Sequence, residues 1–316
     1  MISNCISGWF FLDKPIGITS NSVLQKIRKV FNKSKAGFVG TLDPLASGFL
    51  PIALGPATKI IPYIENNNKK YSFTIKWGTK TETGDSEGKV LQEKKKYPKE
   101  IEIINALRLF KGTIEQTPHQ YSSIKVNGLR AYRLARNNIP FKLKKRKINV
   151  YHIELIKIIS RDLACFAIEC SAGTYIRSLA ESLAESLGTL GSITELRRVG
   201  FGHFDKKVIS LDYLLSLVHS DDLNKLVHPV DAVFIEAKKI QLDKDQVKKV
   251  LTGSFIEMDK HFVETIKDKM VFAKHDNNFI ALGSIIKSNF HPKKLLITWF
   301  KTYVIIVIWL LENLGI

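Results

Sequence analysis

A chain of 316 residues, 45% hydrophobic and 25% charged, carries enough apolar material for a sizeable core, which excludes a disordered or fibrous protein. Its 48 Lys and Arg against 30 Asp and Glu give a formal charge of +18. Such an excess favours a polyanionic partner, because neutralising phosphates releases counterions and drives association.

In chain order, Trp9 to Asp13 reads as a short buried strand that enters a turn at Lys14-Pro15-Ile16-Gly17. Thr19 or Ser20 can cap a helix with Val23, Leu24, Ile27 and Phe31 on one face. An unusual loop around Asp43 follows, then an apolar strand from Leu50 to Leu54. Tyr71 to Trp77 alternates with period two and predicts a half-buried strand. Gly84-Asp85-Ser86-Glu87-Gly88 is a turn, and Pro98 to Phe110 predicts a helix with Ile104, Leu107 and Phe110 inward. Residues 116–150 mix loop, aromatic and basic character, with Lys142-Leu143-Lys144-Lys145-Arg146-Lys147 the densest positive run. It reads either as a clamp for phosphates or as a solvated face. Strands are expected near Tyr151 to Ile159 and Cys165 to Ser171, then an amphipathic helix from Ile176 to Leu187 stopped by Gly188. His228-Pro229-Val230-Asp231 reads as a linker, and short strand patterns resume from about Lys238. The three cysteines, Cys5, Cys165 and Cys170, form neither a disulfide framework nor a metal-ligand pattern. Cys165 and Cys170 read as small core residues. With no basic region before a long apolar stretch at the N-terminus, a reducing cytosol is expected.

The chemistry concentrates in Gly40-Thr41-Leu42-Asp43-Pro44-Leu45-Ala46-Ser47-Gly48. One carboxylate stands among Gly, Pro, Ser, Thr and apolar side chains. Pro44 fixes φ just after it, and Leu42, Leu45 and Phe49 can exclude water. A carboxylate so placed serves as nucleophile or base. Arg177 falls in the first turn of its helix, where the dipole disfavours a cation, so a specific acidic partner is expected. Asp43 is one candidate and Glu181, four residues on, the other.

The Asp43 loop strongly resembles the catalytic loop of the TruB family, the bacterial tRNA pseudouridine synthases that modify uridine 55 of the T arm. Other segments match in order: Lys14-Pro15-Ile16-Gly17, Lys69-Lys70-Tyr71, Gly173-Thr174-Tyr175-Ile176-Arg177-Ser178 and Leu196-Arg197-Arg198-Val199-Gly200. The resemblance implies that Asp43 is catalytic and that Arg177 holds and tunes it. It implies that Tyr71 stacks on a flipped base, that Tyr175 and Leu196 shape the pocket, that Asp85 is a polar position near the site, and that Lys14 lies in the motif supporting the catalytic loop. Phe38 stands where many members carry a His that fills the gap left by the extruded base. It can fill and stack but cannot hydrogen-bond or titrate. Arg197 and Arg198 read as phosphate contacts or solvated charges.

The fold expected is α+β, a pseudouridine synthase fold with a mixed, largely antiparallel central sheet and flanking helices, plus a small C-terminal PUA-like β-barrel. The expected division is a catalytic domain over 1–234, with an RNA-clamping insertion at about 116–150, a PUA-like domain over 235–297, and an apolar extension over 298–316. The extension is too short in its uninterrupted part for a membrane span. The function implied is isomerisation of uridine to pseudouridine in the T arm of tRNA, with no cofactor, no metal and no membrane, by a cytoplasmic monomer. Two rivals share these features: an RNA chaperone that binds tRNA without chemistry, and a dyskerin-type synthase dependent on a guide RNA.

Overall fold

The run Trp9-Phe10-Phe11-Leu12 has no polar member because both faces of its strand are covered. In the computed structural model, which describes residues 6–296 except 65–66, 203, 205–206, 219, 235–236, 265 and 267–269, this run forms β1 (Gly8–Lys14). Phe10 and Leu12 enter one apolar cluster, and Trp9 and Phe11 enter a second on the opposite face. Helix α1 (Ser20–Val30) starts at Thr19, whose hydroxyl accepts the Ser22 N–H, and lays Val23, Leu24 and Ile27 on the first cluster. A short β2 (Ala36–Phe38) then pairs with β3 (Ser47–Leu54), and the Asp43 loop lies between them. β3 runs antiparallel to β1 from Gly8↔Leu54 to Lys14↔Gly48.

The rest of the sheet is β4 (Lys69–Trp77), β5 (Gly112–Gln116), β6 (Arg146–Ser160), β7 (Leu163–Cys170), β8 (Gly191–Phe201) and β9 (Ile209–Ser210). The nine strands follow the order β9-β1-β3-β8-β4-β7-β6-β5, with β2 added at β3. Among the described residues, β1–β9 and β3–β8 pair parallel and the other pairs antiparallel, so the sheet is mixed and largely antiparallel, as expected. Helices α2 (Glu100–Leu107) and α3 (Ile176–Ser186) cover the first cluster. A second, five-stranded sheet runs from Lys238–Gln241 to Asn289–Leu295 and fits a PUA-like half-barrel.

Three expectations need correction. Across α2 and the 3₁₀ turn that continues it (Arg108–Phe110), the inward residues are Ile103, Leu107 and Phe110, spaced four and three apart, while Ile104 is exposed. A stripe at 104, 107 and 110 drifts off one face of a 3.6-residue helix. His228 to Asp231 is no free linker. His228 pairs backbone-to-backbone with Trp9, and the Trp9 indole donates to the Val230 carbonyl at 2.8 Å. Val230 and Val233 join the second cluster, which runs on into Phe272, Leu282 and Leu296 of the C-terminal unit. Cys165 is only half-buried, on the opposite face of β7 from the buried Cys170. The extension expected over 298–316 lies outside the described residues. Among those described, no helix is long and apolar enough to cross a membrane.

Gly48 closes the Asp43 loop at φ +103°, and a Cβ there would lie 2.2 Å from the Arg198 carbonyl oxygen. Gly48→Ala is therefore expected to cost about 2 kcal/mol in urea unfolding, from strain and steric overlap together. An unchanged midpoint and slope would show that the loop relaxes freely.

Candidate active site

The Asp43 loop is held by the segment that precedes it. The Ser20 hydroxyl both accepts the Leu42 N–H, at 2.9 Å, and donates to the Leu42 carbonyl, at 3.0 Å. The Gly17 N–H donates to the Pro44 carbonyl at 2.8 Å. Leu42 and Leu45 anchor in the first cluster. Lys14 is 0% exposed, and its ammonium donates to the carbonyls of Ile18 at 2.6 Å, Pro15 at 2.8 Å and Pro44 at 3.4 Å. Burial pulls its pKa down to about 8, against the pull of the Asp43 and Glu87 carboxylates. Lys14 thus joins the Pro15–Ile18 turn to the residue after Asp43.

Arg177, 5% exposed in the first turn of α3, closes the site from the other side. One guanidinium nitrogen lies 2.9 Å from Asp43 Oδ2, and the other lies 3.4 Å from Asp85 Oδ2. The same two nitrogens donate to the carbonyls of Tyr121, at 3.0 Å, and Thr83, at 2.8 Å. The expected acidic partner is therefore Asp43, joined by Asp85. Glu181 instead faces His119 Nε2 at 3.7 Å. Asp85 is buried and accepts from the Thr83 hydroxyl and from the Glu87 N–H at 3.1 Å, so its turn presents a fixed carboxylate to Arg177.

Asp43 itself keeps 37% of its side-chain surface open. That opening coexists with dense surroundings on the other sides. Burial pushes its pKa above the ordinary carboxylate range. Arg177 opposes the rise and Asp85, competing for the same guanidinium, adds to it. Glu87 is raised too, by burial and then by Asp85 and Asp43.

The remaining expected residues occupy β2, β4 and β8 and the start of α3. Tyr71 and Leu196, on β4 and β8, are buried in the first cluster with Leu42 and Leu45. Burial also raises the Tyr71 pKa, opposed by the charge of Arg198. Tyr175 is half-buried immediately before α3. Phe38 pairs with Ile52 and packs half-buried against the first cluster; no contact of it with Asp43 is seen among the described residues.

Four side chains escaped the sequence reading. Gln116, buried at the end of β5, grips the Tyr175 backbone at both ends, donating to its carbonyl at 3.0 Å and accepting its N–H at 2.8 Å. The pairing fixes the start of α3 and with it Arg177. Arg146 is neither loop nor free charge. It opens β6, donates to the Gly173 carbonyl and lies 4.8 Å over the Tyr175 ring. His119 accepts the Tyr121 N–H on Nδ1 at 3.2 Å, which leaves the proton of its neutral form on Nε2, toward Glu181. It thereby shapes the turn whose carbonyl binds Arg177. Arg198 is fully buried rather than solvated. Arg197, beside it, crosses to Asp13 in a two-pronged pair at 2.7 and 2.9 Å.

The arrangement is a half-open carboxylate held by one buried guanidinium, with a second carboxylate and a buried lysine behind it and aromatic rings alongside. Comparison with known proteins identifies the family. Residues 28–176 match the model described as "TruB family pseudouridylate synthase (N terminal domain)", and 177–234 match "tRNA pseudouridylate synthase B C-terminal domain". A tRNA pseudouridine synthase B of Agrobacterium fabrum is 36% identical, covering 92% of this chain and 94% of that protein. The Clostridium kluyveri protein of the same name is 37% identical, covering 92% of this chain and all of that protein. A solved H/ACA ribonucleoprotein bound to a substrate RNA containing 2′-deoxyuridine shares the fold, with a TM-score of 0.67 at 24% identity over 92% of this chain and 85% of that one. A Cbf5-Nop10-Gar1 complex is similar, with a TM-score of 0.68 at 25% identity over 92% of this chain and 85% of that one. With two family models spanning both sides of the Asp43–Arg177 pair and relatives matched almost end to end, the chain belongs to the TruB family of pseudouridylate synthases.

Proposed function

We propose that this chain, as a monomer in the cytoplasm, converts uridine 55 in the T arm of tRNA to pseudouridine, with Asp43 as the catalytic carboxylate. The observation that carries the reading is the 2.9 Å pair between Asp43 and the buried Arg177, with the carboxylate still partly open. Relatives named tRNA pseudouridine synthase B support the substrate class. In the reaction the N1–C1′ bond breaks, the base turns, and C5 bonds to C1′. C5 loses a proton and N1 gains one, so no electrons, cofactor or leaving group are needed. Asp43 serves as nucleophile or base in that exchange. Arg177 keeps it ionised and aimed. The target must leave its stack, at a cost of a few kcal/mol, and the rings of Tyr71 and Tyr175 offset that by stacking. Leu196 lines the space it enters, Phe38 fills the gap it leaves behind, and Lys14 and Asp85 hold the Asp43 loop and Arg177 in place. The unit over 1–234 carries the chemistry, and the PUA-like unit over 235–297 adds RNA contact.

Purified protein alone should convert a single uridine in the T arm of an unmodified tRNA transcript, read by nucleotide-resolution pseudouridine mapping. Binding without product would leave an RNA chaperone. Product that appears only with a guide RNA would leave a dyskerin-type enzyme.

Lys142, Lys144 and Lys145 are exposed ahead of β6, and we assign them to phosphate contact. Changing all three to Ser should flatten the plot of log affinity for tRNA against log salt by about 2, at roughly 0.7–0.9 per phosphate lost. Turnover at saturating tRNA should hardly change. An unaltered slope would make them a solvated face.

A further inference from the structure

Arg198 is among the largest fully buried side chains, yet the mechanism above gives it no part. Its backbone pairs with Gly48 of β3 on one side and with Tyr71 of β4 on the other. Its Nε donates to the Phe49 carbonyl at 2.7 Å, and its Nη2 to the Val39 carbonyl at 3.2 Å. Val39 and Phe49 flank the two ends of the loop from Gly40 to Gly48. Nη1 turns toward Gly40, where a Cβ would lie 2.8 Å away, and makes no hydrogen bond of good geometry among the described residues. The guanidinium also sits 5.7 Å over the Phe201 ring, and its charge acts on the Tyr71 phenol. One rigid fork therefore touches both flanks of the catalytic loop and faces the ring across the site. A buried cation with an incompletely used donor is a poor way to fill a core. A planar group with several fixed donors is, in contrast, well suited to setting the spacing of two carbonyls.

We propose that Arg198 is a positioning residue, setting the distance between the Asp43 loop and Tyr71 so that carboxylate and ring address the same extruded nucleotide. The proposal rests on the reading of Asp43 and Tyr71 given above. It asks nothing of Arg198 toward the RNA itself, which a side chain 1% exposed cannot reach.

The test compares full-length wild-type protein with Arg198→Met and Arg198→Lys, using T-arm tRNA under single-turnover and steady-state conditions. Wild-type turnover is measured first, so that failure of the functional reading is seen separately. In Arg198→Met the rate of the chemical step should fall about 10²-fold, as a displacement of the order of 1 Å produces, while KM and filter-binding affinity stay within about twofold. Arg198→Lys keeps the charge and most of the stem, but its point-like ammonium cannot hold both carbonyls, so it should also lose at least about tenfold. Added methylguanidinium should restore part of the activity of Arg198→Ala, and methylammonium should not. A purely structural staple would weaken rate and affinity together as the fold loosened. Unchanged chemistry in both variants, or loss of affinity with the chemical step intact, would overturn the proposal. Should Arg198→Met not fold, the Lys variant reads the same outcomes.

Discussion

Asp43→Asn is expected to abolish pseudouridine formation, by roughly 10⁴-fold or more, while binding tRNA nearly as well as the parent and melting at a higher temperature. The amide keeps the shape of the carboxyl group but cannot attack or take a proton. Arg177 keeps Asp85 and the Thr83 and Tyr121 carbonyls, so the wall of the site stays satisfied. The stability gain follows from linkage. Burial raises the folded pKa of Asp43 above its unfolded value, so the folded protein binds that proton more readily. The stability this gives is fully present below the unfolded pKa and is lost as pH rises through the folded one. At neutral pH the ionised carboxylate therefore works against folding, and Asn removes the burden. Pseudouridine mapping, filter binding and thermal melts at pH 7 check the three parts. Normal product from Asp43→Asn would remove Asp43 from the chemistry. A lower melting temperature would mean that its pairing with Arg177 outweighs its burial.

That tension between site and fold explains what the sequence reveals and what it conceals. The continuous apolar run Trp9 to Leu12 and the period-two run Tyr71 to Trp77 both mark strands, because each pattern is a local property of the backbone. Asp43 stands out because a charge among apolar loop residues needs a reason, and Arg177 because a cation in a first turn needs an acid. Gln116, Arg146 and Arg198 owe their roles to contacts across 27 to 159 positions. Nothing around Gln116 announces that its amide will clasp Tyr175, 59 positions away. Arg198 follows Arg197 directly, and a doubled arginine reads as surface. In β8 the two alternate, so one reaches outward to Asp13 and the other is driven into the core. His228 to Asp231 failed for the opposite reason. Its turn-forming residues read as a connection, while the Trp9 indole held it by a hydrogen bond that no local pattern encodes.

Arg177→Met should be the most damaging single change to stability and should slow the reaction severely as well. The guanidinium serves two carboxylates and two carbonyls, and methionine fills its volume without answering any of them. Asp43 and Asp85 are then left facing each other, with Lys14 committed to its carbonyls behind. Breaking a buried pair on one side costs about 3–5 kcal/mol, and the lower end applies here because Asp43 stays partly open to water. The rate of the chemical step should fall about 10³-fold at neutral pH, the scale seen when one aimed donor is lost from an active site. The pH profile separates this from simple misfolding. Arg177 is the largest influence holding the Asp43 pKa down, opposed by burial and by Asp85. In the parent, activity should fall as acid protonates Asp43, over a window above the ordinary carboxylate range near pH 4. Without Arg177 that acid limb should move to still higher pH, so raising the pH should recover part of the lost rate. Arg177→Lys should shift the limb less, because it returns the charge without the fork. Single-turnover rates from pH 5 to 9 for the three proteins decide the matter. An acid limb unmoved in Arg177→Met would mean that the guanidinium orients the site without tuning its carboxylate.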